Sequence, residues 1–466
     1  MAKAHGGGGN PHTQAIAEFV SGFTYERIPA DVLARIKLLV LDSLGCAIYG
    51  VDLPWSRILH EALGDEDTTT STSVWGTKEK LSAPHAVLIN GALVQSFELD
   101  DVHRVGVLHV GAVTLPPVLA VLEKNAAITG KEFLAATVAG YEIGPRVGIC
   151  MGQEHIGQGW HSGATLGVYS AAAGAAAAMR LDVGQTVNAL GIAGTQAAGL
   201  MAAQYGSMVK RMHAGRSAQS GYYGAMLARR GYTGIQDVFE SDYGGFCSTF
   251  SRSHDRYNLN ALSDGLGERF ETLQIALKFY SCVGSNHTTL DGIREIEARR
   301  PFKLADIEKI IVHGSQVTAD HVGWPYKPEG LTSAQLNLPY CIATYLLEGD
   351  VFVAQFTEDK VADPDRIAVS RLVDVVEDPA ITAQGSRFRH KVRVEIRFKN
   401  GDVETETVEA PRGSEKKFAT EADVVAKFRK LASTQFSGDK VDRVVDLVLN
   451  AERLSSAQEI VAALRA

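Results

Sequence analysis

The sequence predicts a mainly α protein, in which a large all-helical domain carries a smaller α+β domain inserted ahead of the last helices. Three observations point there. Apolar residues at helical spacing dominate the first ~260 residues. A stretch thick in alanine and glycine, "ATLGVYSAAAGAAAAMRL" (164–181), lies in their midst. Strand-like alternation is confined to the part beyond about residue 265. With 466 residues, 45% of them hydrophobic and 21% charged, the chain can bury two cores.

Taken in order, residues 1–12 ("MAKAHGGGGNPH") read as a flexible tail without a signal-type apolar stretch. A helix with a broad apolar face starts at Pro29, and another has Pro84 in its first turn and an apolar body leading into "FELDD". A further helix is expected from the pair Pro116–Pro117 to Gly130, with helical sequence resuming in "KEFLAATVAGYEIGPRVGIC". Small residues all round 164–181 suit a central helix closely approached by its neighbours. The uncharged run from Ala189 to Val209 could span a bilayer, but Thr195, Gln196, Gln204, Ser207 and four glycines would be costly in lipid. It is expected to be buried helix. Downstream, "IEKIIVHGS" reads as a strand and "HKVRVEIRFKNGDVETETVEA" as a hairpin turning at Asn400–Gly401. Helical "SAQLNLPYCIATYLLEGD" lies between them, and helices return from about Glu421. The expected domains are a helical one at 13–265, an α+β lid at 266–405, and C-terminal helices at 406–466 that rejoin the first.

Composition removes several function classes. A formal charge of -8 without a long Lys/Arg run argues against nucleic-acid or membrane binding through a basic face. Five scattered cysteines with no C-x-x-C pair argue against a disulfide framework or an iron–sulfur cluster and suit a reduced cytoplasm. Neither G-x-G-x-x-G nor a Walker-type loop is present.

What remains is a set of acid, imidazole and cation clusters. "ELDDVHRVGVLH" puts Glu98, Asp100, Asp101, His103 and His109 within twelve residues. Carboxylates ending a helix oppose its dipole, so the stretch reads as a polar loop, a metal site through Asp101, His103 and His109, or proton-transfer machinery. "GWHSG" sets His161 among small residues at a helix entry, where backbone N–H groups favour anions. "VKRMHAGR" brings Lys210, Arg211, His213 and Arg216 directly out of apolar sequence. Buried cations need a partner, and here a ligand anion is expected to supply it. "LKFYSCVGSNH" adds Lys278 and His287 near the expected domain junction, a favoured place for ligands. Together these imply a substrate with several carboxylates and a proton-transfer reaction. A metal-dependent hydrolase and a non-catalytic anion-binding protein are the competing classes.

These segments, with "SDYGGF" and "SAQLNLPY", resemble in the same order the MmgE/PrpD family, which embraces 2-methylcitrate dehydratase, cis-aconitate decarboxylase and iminodisuccinate epimerase. "TQAAGLMAAQYGSMVKR" and the H-x-GW of His321–Trp324 look most like the fungal decarboxylating branch. The resemblance implies a homodimer with no metal or organic cofactor, acting on a small di- or tricarboxylate through a carbanion beside a carboxylate; the reduced cysteines add the expectation of a cytoplasmic protein. It places the reacting groups at His109, His161, Lys210, Lys278 and Asp101. Substrate contacts are then expected from Glu98, Asp100, His103, Arg211, His213, His287 and Tyr326.

Overall fold

The principal helices of the N-terminal part are α1 (Pro11–Gly22), α2 (Ala30–Gly50), α3 (Ala83–Val94), α4 (Val110–Glu123), α5 (Gly130–Met151), α6 (Gly167–Ala178), α7 (Val183–Gly194) and α8 (Val209–Ala228). They are followed by α9 (Gly284–Arg299), α10 (Leu338–Glu348), α11 (Glu421–Ala432) and α12 (Gly438–Leu449). These come from a computed structural model that describes residues 9–152, 154–204, 207–253, 255–385 and 388–466. The alanine-rich segment forms α6, buried along all but Ala177, as its composition requires. Small residues let α8 wedge between α3 and α6. A Cβ at Gly221 would stand 2.4 Å from Ala171 Cβ, and one at Gly215 would stand 2.0 Å from the Leu88 carbonyl. Larger side chains at either place would push α8 outward, and with it the cations at its N-terminus.

Several elements depart from the sequence expectation. Helix α1 takes in Pro11 and His12, the end of the expected tail, because Pro11 suits a first helical turn and Glu240 accepts the N–H groups of His12 and Thr13 at 2.8 and 2.7 Å. Residues 1–8 of that tail lie outside the described residues. Helix α4 begins at Val110 and holds Pro116 and Pro117 within it. Gly130 does not end α4 but opens α5, behind a Thr129–Glu132 capping box. In the uncharged run, Ala189–Gly194 closes α7 and Val209 opens α8, and the described residues between them are not α-helical. After Gly194 the chain leaves the α-helix, and Leu200 and Met208 are 62% and 54% exposed. No described helix is long and apolar enough to cross a membrane.

The α+β part contains a sheet of β1 (Ile307–Gly314), β2 (Val373–Glu377), β3 (Val392–Phe398) and β4 (Val403–Val408) in the order β2-β1-β3-β4. Strand β2 runs parallel to β1, β3 runs antiparallel to β1, and the β3–β4 hairpin turns through Gly401 at φ 91°. Strand β2 escaped the sequence reading, since "VDVVE" is too short and acidic to show a buried face and buries only Val373. Strand β4 continues to Val408, past the expected boundary at 405. Leu290, Ile293 and Ile296 of α9 and Tyr340 and Ile342 of α10 pack on Ile310 and Val312 of β1 and Val392, Val394 and Ile396 of β3. Chain 421–449 then returns to the helical core, where Val424 and Phe428 join the hydrophobic cluster that includes α2.

Candidate active site

Helix α3 stops at Val94, so the acids that follow do not sit on its end. They belong to a buried irregular segment in which Glu98 adopts φ 58°. That conformation is unfavourable for a side-chain-bearing residue, and the segment is held from several sides. Lys427 of α11 donates to the Leu99 carbonyl at 2.7 Å while paired with Asp42 at 2.6 Å, and Gln335 donates to the Phe97 carbonyl at 3.1 Å. Asp101 accepts from the Gly111 N–H in the first turn of α4 and from the Tyr141 hydroxyl, both at 2.9 Å. Burial pushes its carboxyl up to about 7 against those hydrogen bonds, with neighbouring Asp100 adding to the rise.

Glu98 is the hub of the cations. Lys210 bonds its Oε1, Arg211 donates to the same oxygen at 2.7 Å, and Lys278 lies 3.4 Å from Oε2. Lys278 is also 3.8 Å from Asp100 Oδ1. The ligand anion expected as partner is thus replaced in part by the chain's own carboxylate, which explains how three cations tolerate burial. Burial alone would raise the Glu98 carboxyl, but Lys210, Lys278, Arg211 and His109 outweigh it and hold it well below the usual range. Lys210 is displaced downward by burial, with Glu98 opposing. Arg211 is further fixed by Gln335 at 3.1 Å and Thr332 at 3.3 Å, and its guanidinium lies 5.5 Å from the Trp55 ring centre. Arg216, in contrast, points to the exposed side of α8 and bonds Gln219.

His109 N-caps α4, and its Nδ1 is 2.8 Å from Asp100 Oδ2. Its side chain stays 16% exposed, and no second hydrogen bond to the ring is formed among the described residues. An imidazole so held donates Nδ1–H to the carboxylate and turns Nε2 outward for chemistry. His161 caps the short helix Ser162–Thr165, its ring 4.7 Å from that of His213. The Nδ1 atoms of both are buried without a partner among the described residues. Burial, then His213 and Lys210, hold His161 well below the ordinary imidazole value, and burial with Lys210 lowers His213.

Three expected contacts are directed elsewhere. His103 accepts from the Gly106 N–H at 2.9 Å and donates to Glu271 at 3.1 Å, so both nitrogens serve the loop. His287 donates to the Cys282 carbonyl at 3.1 Å and packs edge-on to Tyr280, with burial and Lys278 pushing it down to about 3. The Tyr326 hydroxyl donates to the Val361 carbonyl at 2.8 Å, and its ring packs on Tyr340. Asp101, His103 and His109 are each committed to separate protein partners. No group of three metal-ligating side chains converges among the described residues. Sequence reasoning missed Gln95, Gln335 and Lys427. Gln95 had a signal, as a polar side chain closing an apolar helix; Lys427 had none that distinguishes it from Lys430.

An α-rich scaffold holds a buried centre of three cations, two carboxylates and an acid-oriented imidazole, the groups that binding and protonating a small anion would call for. Comparison with known proteins narrows the reading. Residues 14–257 match the MmgE/PrpD N-terminal domain and residues 280–452 the MmgE/PrpD C-terminal domain. The chain belongs to the MmgE/PrpD family. It is 34% identical to the cis-aconitate decarboxylase-like protein oryM of Aspergillus oryzae, over 97% of this chain and 96% of that one. It is also 34% identical to a cis-aconitate decarboxylase of Aspergillus terreus (95% and 94% covered) and 24% identical to that of Mus musculus (95% and 91%).

Proposed function

We propose that this chain is a lyase that decarboxylates cis-aconitate to itaconate and CO2, working as a cytoplasmic homodimer without metal or organic cofactor. The observation that carries the reading is the convergence of Lys210, Arg211 and Lys278 on Glu98 beside the His109–Asp100 pair. In the reaction, the bond between the CH2 carbon and its carboxylate breaks and CO2 leaves. The electron pair moves through the double bond and rests as an enolate on the far carboxylate. Lysine and arginine positive charge beyond what Glu98 and Asp100 neutralise stabilises that enolate where its charge develops. His109 then delivers a proton from Nε2 to the carbon, while Asp100 holds the ring and faces the charge of the imidazolium. His161, kept neutral by burial, orients substrate. Asp101 acts as a brace, tying the acidic segment to the start of α4. The α+β part, which supplies Gln335 and Thr332 to Arg211, serves as a lid over the centre.

The test is a panel of cis-aconitate, 2-methylcitrate and iminodisuccinate with products identified by NMR, run on the wild type and on His109→Gln. Itaconate should form from cis-aconitate alone, and His109→Gln should lower turnover by roughly two to four orders of magnitude with little change in substrate affinity. Dehydration of 2-methylcitrate with no itaconate from cis-aconitate would replace this reading by a dehydratase.

A further inference from the structure

Next to the cation hub lies a second group of polar side chains that no charge satisfies. Gln95 is 1% exposed, and neither its amide oxygen nor its nitrogen has a hydrogen-bond partner among the described residues. A primary amide buried with all its donors and acceptors unused is rare in a native fold and marks a missing partner. The Nδ1 atoms of His161 and His213 are unpartnered in the same neighbourhood. Gly163 stands between His161 and Gln95, where a Cβ would lie 3.2 Å from His161 Cε1 and 4.0 Å from Gln95 Nε2; the His213 ring lies 4.7 Å from that of His161. A side chain there would press on His161 and extend toward the Gln95 amide. Lys210 lies close enough to perturb both imidazoles, so these groups adjoin the hub.

We infer that Gln95, with His161 and His213, seats the substrate carboxylate that departs as CO2, and that Gln95 is thereby a specificity-determining residue for tricarboxylates over dicarboxylates. The inference rests on the decarboxylase reading above. Its chemical logic is a division of labour within one pocket. The far carboxylate takes up the electron density released in the reaction and belongs beside lysine and arginine. The departing carboxylate goes from one negative charge to none, so a cation beside it would hold the ground state more tightly than the transition state and slow the step. Neutral amide and imidazole groups fix its orientation without that penalty, and burial keeps both imidazoles neutral. The balance is complete with groups already named. The C–C bond breaks, its electron pair stays on the substrate, CO2 leaves without a proton, and His109 supplies the proton to carbon.

The test uses the full chain and two non-reacting probes, propane-1,2,3-tricarboxylate and itaconate, in calorimetric titrations of wild type, Gln95→Met and Gln95→Glu. Loss of a hydrogen bond to a charged group in Gln95→Met should weaken tricarboxylate binding by about tenfold to a hundredfold and itaconate binding by less than about twofold. The isosteric Gln95→Glu preserves packing should the methionine variant fail to fold, and its negative charge should abolish the preference for the tricarboxylate. Equal losses for both probes, or no loss for either, would overturn the inference while leaving the decarboxylase reading intact. If the wild type binds neither probe, the polycarboxylate reading falls and takes the inference with it.

Discussion

Replacing Glu98 by glutamine should lower the stability of the empty protein and raise its response to ligand, two effects of opposite sign that few other positions would show. The carboxylate meets Arg211 at 2.7 Å and Lys278 at 3.4 Å and also bonds Lys210. At an effective dielectric constant of 20, the first two contacts alone carry gross attractions of about 6 and 5 kcal/mol. Desolvation of the ions offsets most of that, and breaking a buried pair from one side costs a net of about 3–5 kcal/mol because the remaining charge is stranded. In Glu98→Gln the stranded charge is a trio of cations, and a polycarboxylate can replace the lost partner. The apparent melting midpoint without ligand should therefore fall by several degrees, and added propane-1,2,3-tricarboxylate should restore more of it than it adds to the wild type. Thermal scans across a ligand series measure both quantities at once. A variant that is destabilised yet gains no more from ligand than wild type would show that the cations serve Glu98 alone, refuting the anion-site argument.

Further outcomes can be checked with modest effort. Lys278→Ala should weaken polycarboxylate binding by about 2–5 kcal/mol, read by calorimetry, with unchanged affinity assigning the lysine to the fold. Turnover should survive exhaustive chelation; loss in EDTA with recovery on one added metal would contradict a cofactor-independent reaction. Stability should decline as pH falls from 6.5 toward 5. Burial depresses His161, His213, His321 and His390, so their contribution is whole above the unfolded imidazole value near 6.5 and is lost below it as unfolding takes up protons. His155 at about 4 and His287 at about 3 act in the same sense, while Asp101 and Glu142, pushed up by burial to about 7, act in the opposite sense, as does Asp42, which burial also raises. The remaining slope is roughly 1.4 kcal/mol per pH unit for each net proton, and a flat midpoint over that range would show these rings to be charged in the fold.

Much of the fold was legible because periodicity and small-residue content report burial directly. The enclosure of α6, the strand "IEKIIVHG" and the Asn400–Gly401 hairpin each follow from a local pattern. The misses were tertiary. Pro116 and Pro117 lie within a helix because α4 is wrapped in apolar neighbours and capped upstream, where Asp101 takes the Gly111 N–H. Nothing local to "LPPVL" reveals that. At the site, the sequence marked the cations and acids but could not say that they meet one another. Glu98 lies 112 residues from Lys210 and 180 from Lys278, and only the fold makes it their shared partner. His103 and His109 look alike as letters; Glu271 and Asp100 separate them.

The acidic segment is held in part by the helices that follow the sheet. Leu99 lies between the residue that gathers the cations and the one that orients His109, and its carbonyl is held by Lys427 from α11. That ammonium is buried and paired with Asp42 of α2. Burial alone would lower its pKa, but Asp42 outweighs burial and keeps it raised and charged. Gln335, just before α10, holds the Phe97 carbonyl and Arg211 together. Elements from the start, middle and end of the sequence thus converge on five consecutive residues. A segment with a left-handed Glu98 and no regular backbone pairing of its own cannot be rigid by local means. It is held instead by Asp42 of α2 through Lys427 of α11 and by Gln335 of the short helix before α10, so the segment depends on contacts from three distant parts of the chain.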